Sequence, residues 1–254
     1  MSCCSADGRS LTVSGISSLP RGSDVHLLCL LLTVSPAGDR LRGVVGSVIG
    51  KGGNHRQAAV REVLDAAWAL MEREGVAALS LRELSRSLGI RPQSLAYYFP
   101  TKATLLDALF RDGFCDLAAR LRDVRDAGVS GADRSDALAA AVSTVLVFGA
   151  ASPARYHLML QRTVPGFTPT TESHQVALDT LGLLLDRLSA AGITDPADVD
   201  VFRGLVNGLA AEQIANDPGG HRFICRAEHA VRLFLAGVAA TSEHKTQYFA
   251  RRRS

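Results

Sequence analysis

From about His55 to Ala240 the apolar residues recur at steps of three and four, and almost nowhere do they alternate. A chain patterned in this way buries one face per turn of helix and has no use for pleated strands. The fold class this implies is all-α. Val60, Val63, Leu64, Ala67 and Met71 define the inner face of a first helix over 55–74, which Gly75 closes. Ser80 and Glu83 stand at the spacing of a capping box, so a second helix starts there. Longer helices are predicted over 102–123, 133–150, 153–161, 171–191, 196–216 and 221–240. Pro153 and Pro196 follow Ser152 and Asp195, each pair being a capping side chain ahead of a proline at the first helical position.

The 254 residues are 47% hydrophobic, enough for one or two packed domains. A formal charge of +3 permits a nucleic-acid partner without requiring one. The five cysteines (Cys3, Cys4, Cys29, Cys115 and Cys225) are scattered and include no Cys-x-x-Cys pair. They indicate neither a disulfide framework nor a zinc site and fit a reducing, cytoplasmic setting. Residues 1–54, rich in Ser and Gly and without a sustained period, read as a poorly ordered extension or as upstream sequence. Within them Val25–Val34 is apolar but too short to span a bilayer, and its flanks lack the charge bias of a signal peptide. No membrane association is expected.

The segment richest in chemical information runs from Leu81 to Phe99. Leu81, Leu84 and Leu88 give the second helix an inner face, Ser85 is small enough for a close helix crossing, and Gly89 suits a tight turn. Ile90 and Leu95 are expected to anchor a short third helix, with Pro92 in its first turn. Arg91, Gln93, Ser94, Tyr97 and Tyr98 then remain outward, a set suited to base edges and phosphates in a major groove.

These landmarks, together with Glu74-Gly75, Ser80, Leu88-Gly89-Ile90, Phe99, Lys102 and Leu105-Leu106, resemble the DNA-binding domain of the TetR family of bacterial regulators over about 56–110. The resemblance implies an N-terminal three-helix, helix-turn-helix DNA-binding domain over 55–112, a helical-bundle domain for ligand binding and dimerisation over 113–243, and a basic tail over 244–254. It implies that Arg91, Pro92, Gln93, Ser94 and Tyr97 face the groove, that Tyr98 and Lys102 touch the DNA backbone, and that Ser80 offers its hydroxyl and a helix N-terminus to a phosphate. Relatives commonly carry Tyr where this chain has Ala96, which takes away one phosphate contact.

In the body, Ser152–Ser173 and the later Leu205–Glu212 resemble one subgroup of the same family, the WHG type, although Asn207 replaces the subgroup's His and Trp68 is the chain's one tryptophan. Phe148, Tyr156, Met159, Phe167 and Phe202 are candidates to line a cavity for a small apolar or amphipathic ligand; the same side chains serve equally as core. The last two helices are apolar around much of their circumference, with Val201, Leu205, Leu209, Val231, Leu233, Phe234 and Leu235. By resemblance they pair with a second copy in a homodimer that reads a palindromic operator and, as a repressor, leaves it when ligand binds. No cofactor or metal is implied, and no enzyme motif is present. Two alternatives remain: an RNA-binding protein that uses a Gly-x-x-Gly loop at Gly50–Gly53, or an unrecognised helical enzyme.

Overall fold

In the computed structural model, which describes residues 51–126, 134–161 and 163–251, every regular element is helical. The first helix, α1 (Lys51–Glu74), begins four residues earlier than its apolar period predicts. Lys51, Gly52 and Gly53 are thus helical, and the RNA-binding alternative, which needs them in an open loop between strands, fails. The reading of residues 1–50 lies outside the described residues. Gly75 stops α1 at φ +85°, donating its N–H to the Met71 carbonyl at 2.8 Å. A single 3-10 turn, Val76–Ala78, leads to α2 (Leu81–Ser87) and α3 (Pro92–Tyr98).

Two long helices and a short one follow: α4 (Lys102–Asp126), α5 (Arg134–Ala151) and α6 (Pro153–Leu160). Ser152 caps α6 by accepting the Arg155 N–H, and Pro153 occupies the first helical position. Then come α7 (Thr171–Ala190), capped by Thr170, and α8 (Pro196–Asn216), capped by Asp195. The last helix, α9 (Ala227–Arg251), starts six residues later than predicted and runs through most of the segment read as a tail. Its late start has a side-chain cause. The buried Gln213 accepts the N–H groups of Phe223 and Ile224 at 2.9 and 3.2 Å and donates to the Gly220 carbonyl at 3.1 Å, holding 217–226 as a turn.

One core joins α1 to α4: Leu64, Trp68, Met71, Leu84, Leu95, Phe99, Leu105 and Leu109 are buried together. Ala154 and Leu158 of α6 belong to the same cluster, so α6 is packed into the base of the helix-turn-helix region rather than tethered to it. The second packing centre is α5, which α4, α7, α8 and α9 surround. That position accounts for a helix long and apolar enough, by length and composition, to cross a membrane: Leu138, Val142, Leu146 and Phe148 are buried among the neighbouring helices. Helix α4 belongs to both centres and runs unbroken through 112–113.

Candidate nucleic-acid interface

The turn between α2 and α3 is built by backbone bonding that only a short list of residues permits. Ile90 N–H donates to the Ser85 carbonyl at 3.0 Å and Gly89 N–H to Arg86 at 3.1 Å, the paired bonds of a Schellman motif with Gly89 in the left-handed region at φ +65°. Ile90 is thereby the second residue past the cap, Leu88. It is 37% exposed and is not the anchor its hydrophobicity suggests. The anchors are Leu84 on α2, Leu95 on α3 and Phe99, which caps the end of α3, all buried. Ser85 is buried as well, its hydroxyl donating to the Arg82 carbonyl at 2.9 Å.

At the start of α2 only half of the capping box forms. Ser80 Oγ accepts the Glu83 N–H at 3.1 Å, while the Glu83 carboxylate turns to Arg86 at 2.7 Å. Helix α3 starts at Arg91, whose carbonyl accepts the Ser94 N–H at 2.9 Å, and Pro92 fits because its missing donor costs nothing in a first turn. With Leu95 and Phe99 buried, Arg91, Pro92, Gln93, Ser94, Ala96 and Tyr97 are left exposed.

The two tyrosines divide. Tyr97 is 70% exposed, whereas Tyr98 is half-buried against the core and meets the Tyr97 ring edge-on at 5.1 Å between centroids. Lys102 is half-buried at the start of α4, with its ammonium 3.5 Å from the Ala77 carbonyl. Two further cations reach this region without having been singled out in the sequence. Arg56 of α1 lies over the Tyr97 ring at 5.8 Å, and Arg82 is exposed on α2. Arg56 stands 41 positions from Tyr97, and no spacing rule within one helix reports such a pair; Arg82 was legible as an outward position between the inward Leu81 and Leu84.

The five body candidates lie on α5, α6, α8 and the connection between α6 and α7. Phe148 lines a cleft with Trp68, Arg120 and Arg155. Tyr156 is buried, its hydroxyl donating to the Asn207 carbonyl at 3.1 Å and accepting from Gln161 at 2.9 Å; burial first, against the opposing Gln161 bond, raises its ionisation above the ordinary phenol value. Met159 packs on Gly113, half-buried Phe167 meets Phe110 at 6.2 Å, and Phe202 meets Phe234 at 5.1 Å. Among the described residues no group of acids, histidines and cysteines has the makings of a metal site.

Residues 63–109, from the second half of α1 through the first turns of α4, match the profile described as bacterial regulatory proteins, tetR family. The chain is 30% identical over 146 residues to an HTH-type transcriptional regulator of Mycobacterium tuberculosis, covering 57% of this chain. It spans 62% of the length of that relative. Solved structures share the fold: a tetR-family transcriptional regulator from Streptomyces coelicolor superposes with a TM-score of 0.56 at 18% identity, over 77% of this chain and 88% of that one. The transcriptional regulator FadR from Bacillus subtilis, in complex with stearoyl-CoA, does so at 0.52 and 16% identity, over 70% of this chain and 98% of that one.

Proposed function

We infer, from the premise that this chain carries the DNA-binding head of the tetR family of bacterial regulatory proteins, that it is a sequence-specific transcription regulator. The observation that carries the reading is α3: a short helix pinned by Leu95 and Phe99 that leaves Arg91, Gln93, Ser94 and Tyr97 exposed. Arg and Gln are the residues whose paired donors and acceptors match guanine and adenine edges, and a pinned helix can deliver them to fixed positions. Pro92 shapes the end of α3 that enters the groove. Ser80, Tyr98 and Lys102 flank it and serve the phosphates, with Arg56 adding charge over the Tyr97 ring.

The division of labour follows the helices. Residues 55–112 read DNA, and the remaining helices sense a ligand and pair two copies. Val201 on α8 and Leu233 on α9, 62% and 61% exposed, supply an apolar surface for a twofold partner. The ligand is small and apolar or amphipathic, a class supported by the fold shared with a regulator seen with stearoyl-CoA. Its binding shifts the dimer away from the spacing that fits a palindromic operator, which makes the protein a repressor.

A footprint on the intergenic DNA beside the gene, at two salt concentrations, tests the core of this reading. A protected palindrome whose occupancy falls steeply with salt and is lost in the Arg91→Ala, Gln93→Ala variant is the expected result. Absence of duplex binding at low salt by the folded protein overturns it.

A further inference from the structure

Where α1, α4, α5 and α6 meet, a cleft of about 290 Å³ opens to solvent. Trp68 and Phe148 line it, together with two guanidinium groups. The Arg155 guanidinium stands 5.0 Å from the centre of the Trp68 indole and 5.9 Å from that of Phe148, and Arg120 lies 5.6 Å from Phe148. Both cations share one carboxylate. Arg120 Nε donates to one Asp116 oxygen at 3.0 Å, and Arg155 closes on the other.

The remaining acid of the cleft does not face them as a free partner. Glu72 accepts the Ser152 hydroxyl and, at 3.4 Å, the Ala154 N–H, so its charge is set against the start of α6. Asp112, beside the cleft, accepts the Trp68 indole N–H at 2.9 Å and is itself paired with Arg61 at 2.6 Å. Two guanidinium groups therefore have one opposing carboxylate between them.

We propose that this cleft binds a small aromatic carboxylate. Its carboxylate takes the guanidinium donors that Asp116 leaves over, the planar fork of arginine being the group that matches it best. Its ring lies along the parts of Phe148 and Trp68 that line the cleft, two side chains otherwise buried. A neutral aromatic forfeits the charged bonds, and an acid without a ring forfeits the walls. The volume sits at the lower end of ligand pockets, about 300–1,000 Å³, and suits a single-ring acid. A carboxylate that draws Arg155 from Asp116 also loosens the point where α6 is tied to α4 and, through Trp68, to α1. That consequence for DNA affinity rests on the proposed function; the binding itself does not.

Trp68 is the chain's one tryptophan, so the full chain labelled with fluorotryptophan gives a single fluorine NMR signal, and that signal comes from the cleft wall. Benzoate is expected to shift it saturably, and benzyl alcohol and acetate are expected to leave it in place at the same concentrations. Arg120→Gln, an exposed position, weakens benzoate roughly tenfold, the loss expected when one bond to a charged group is removed. Asp116→Asn strengthens it by removing the competing anion, a gain that misfolding cannot imitate. No shift with benzoate, an equal shift with benzyl alcohol, or unchanged affinity in both variants overturns the site. The titration needs no DNA. Failure here beside an intact footprint removes the cleft alone, and a saturable shift without any footprint removes the proposed function alone.

Discussion

Gly89 shows how much of the head depends on a single backbone angle. At φ +65° with nothing within 4 Å of where a Cβ would stand, its replacement by alanine meets no clash and costs only the strain of the left-handed region, about 1–2 kcal/mol. Urea unfolding of Gly89→Ala checks this, and Gly89→Asn, which tolerates that region, is expected to lose less. Asp116 gives a second residue-level expectation. Burial pushes its carboxyl up, but the bond and charge of Arg120, with the charge of Arg155, outweigh it, and the group lies below its ordinary value of 3.8. A folded value below the unfolded one means that the ionised form stabilises the fold fully above 3.8 and that this contribution is lost as pH falls through the folded value. Thermal melts across the acid range are expected to show a shallower loss in Asp116→Asn than in the parent. Neither feature was equally plain in the sequence. Gly89 was readable as a turn because glycine is the residue such a turn demands; the Asp116 pairing joins α4 to α6 across 39 positions, which no local pattern reports.

At the scale of elements, boundaries were legible wherever a side chain caps or a proline opens a helix. Ser152-Pro153 and Asp195-Pro196 start α6 and α8 where the sequence put them. The start of α9 was not, because the turn before it is held by Gln213 from α8, ten and eleven positions upstream of the N–H groups it accepts. Likewise the apolar Ile90 reads as an anchor by composition, and only the pair of bonds past Ser87 shows that it sits beyond the helix end. The four body aromatics and Met159 read as the lining of one cavity because large apolar side chains carry no label that separates wall from core; in the fold Phe148 lines a cleft, while Tyr156, Met159 and Phe202 are buried. Helix α2 offers the cleaner test. Its cap is the one Ser80 bond, without the reciprocal Glu83 contact, so Ser80→Ala is expected to cost about 1 kcal/mol. Leu84→Ala, at a position with no exposed surface, is expected to cost about 2–5 kcal/mol. Chemical denaturation of the two variants ranks them, and the reverse order contradicts the assignment of Leu84 as the pin of the second helix.

For the whole molecule, the proposed reading of a palindrome gives each head's α3 one half-site, so that reading needs two heads at a fixed separation. The surface available for fixing it is the outer side of α8 and α9. Val206 and Val231 turn into the body, while Val201 and Leu233 stay in water. Gly204, Gly208 and Gly237 lie on these same helices, and a Cβ at any of them would meet nothing within 4 Å. Small residues beside exposed apolar ones let two helix pairs approach closely, and burying Val201 and Leu233 against their copies removes apolar surface that the monomer leaves in solvent. Val201→Glu with Leu233→Glu places four like charges in that interface and none in the monomer's core. The expected outcome is a fold with unchanged helix content and melting of the head, half the mass by sedimentation equilibrium, and loss of the palindromic footprint while weak, salt-sensitive duplex binding persists. If the variant still sediments as a dimer, the twofold surface lies elsewhere on the body and the spacing of the two reading helices must be set by another pair of faces.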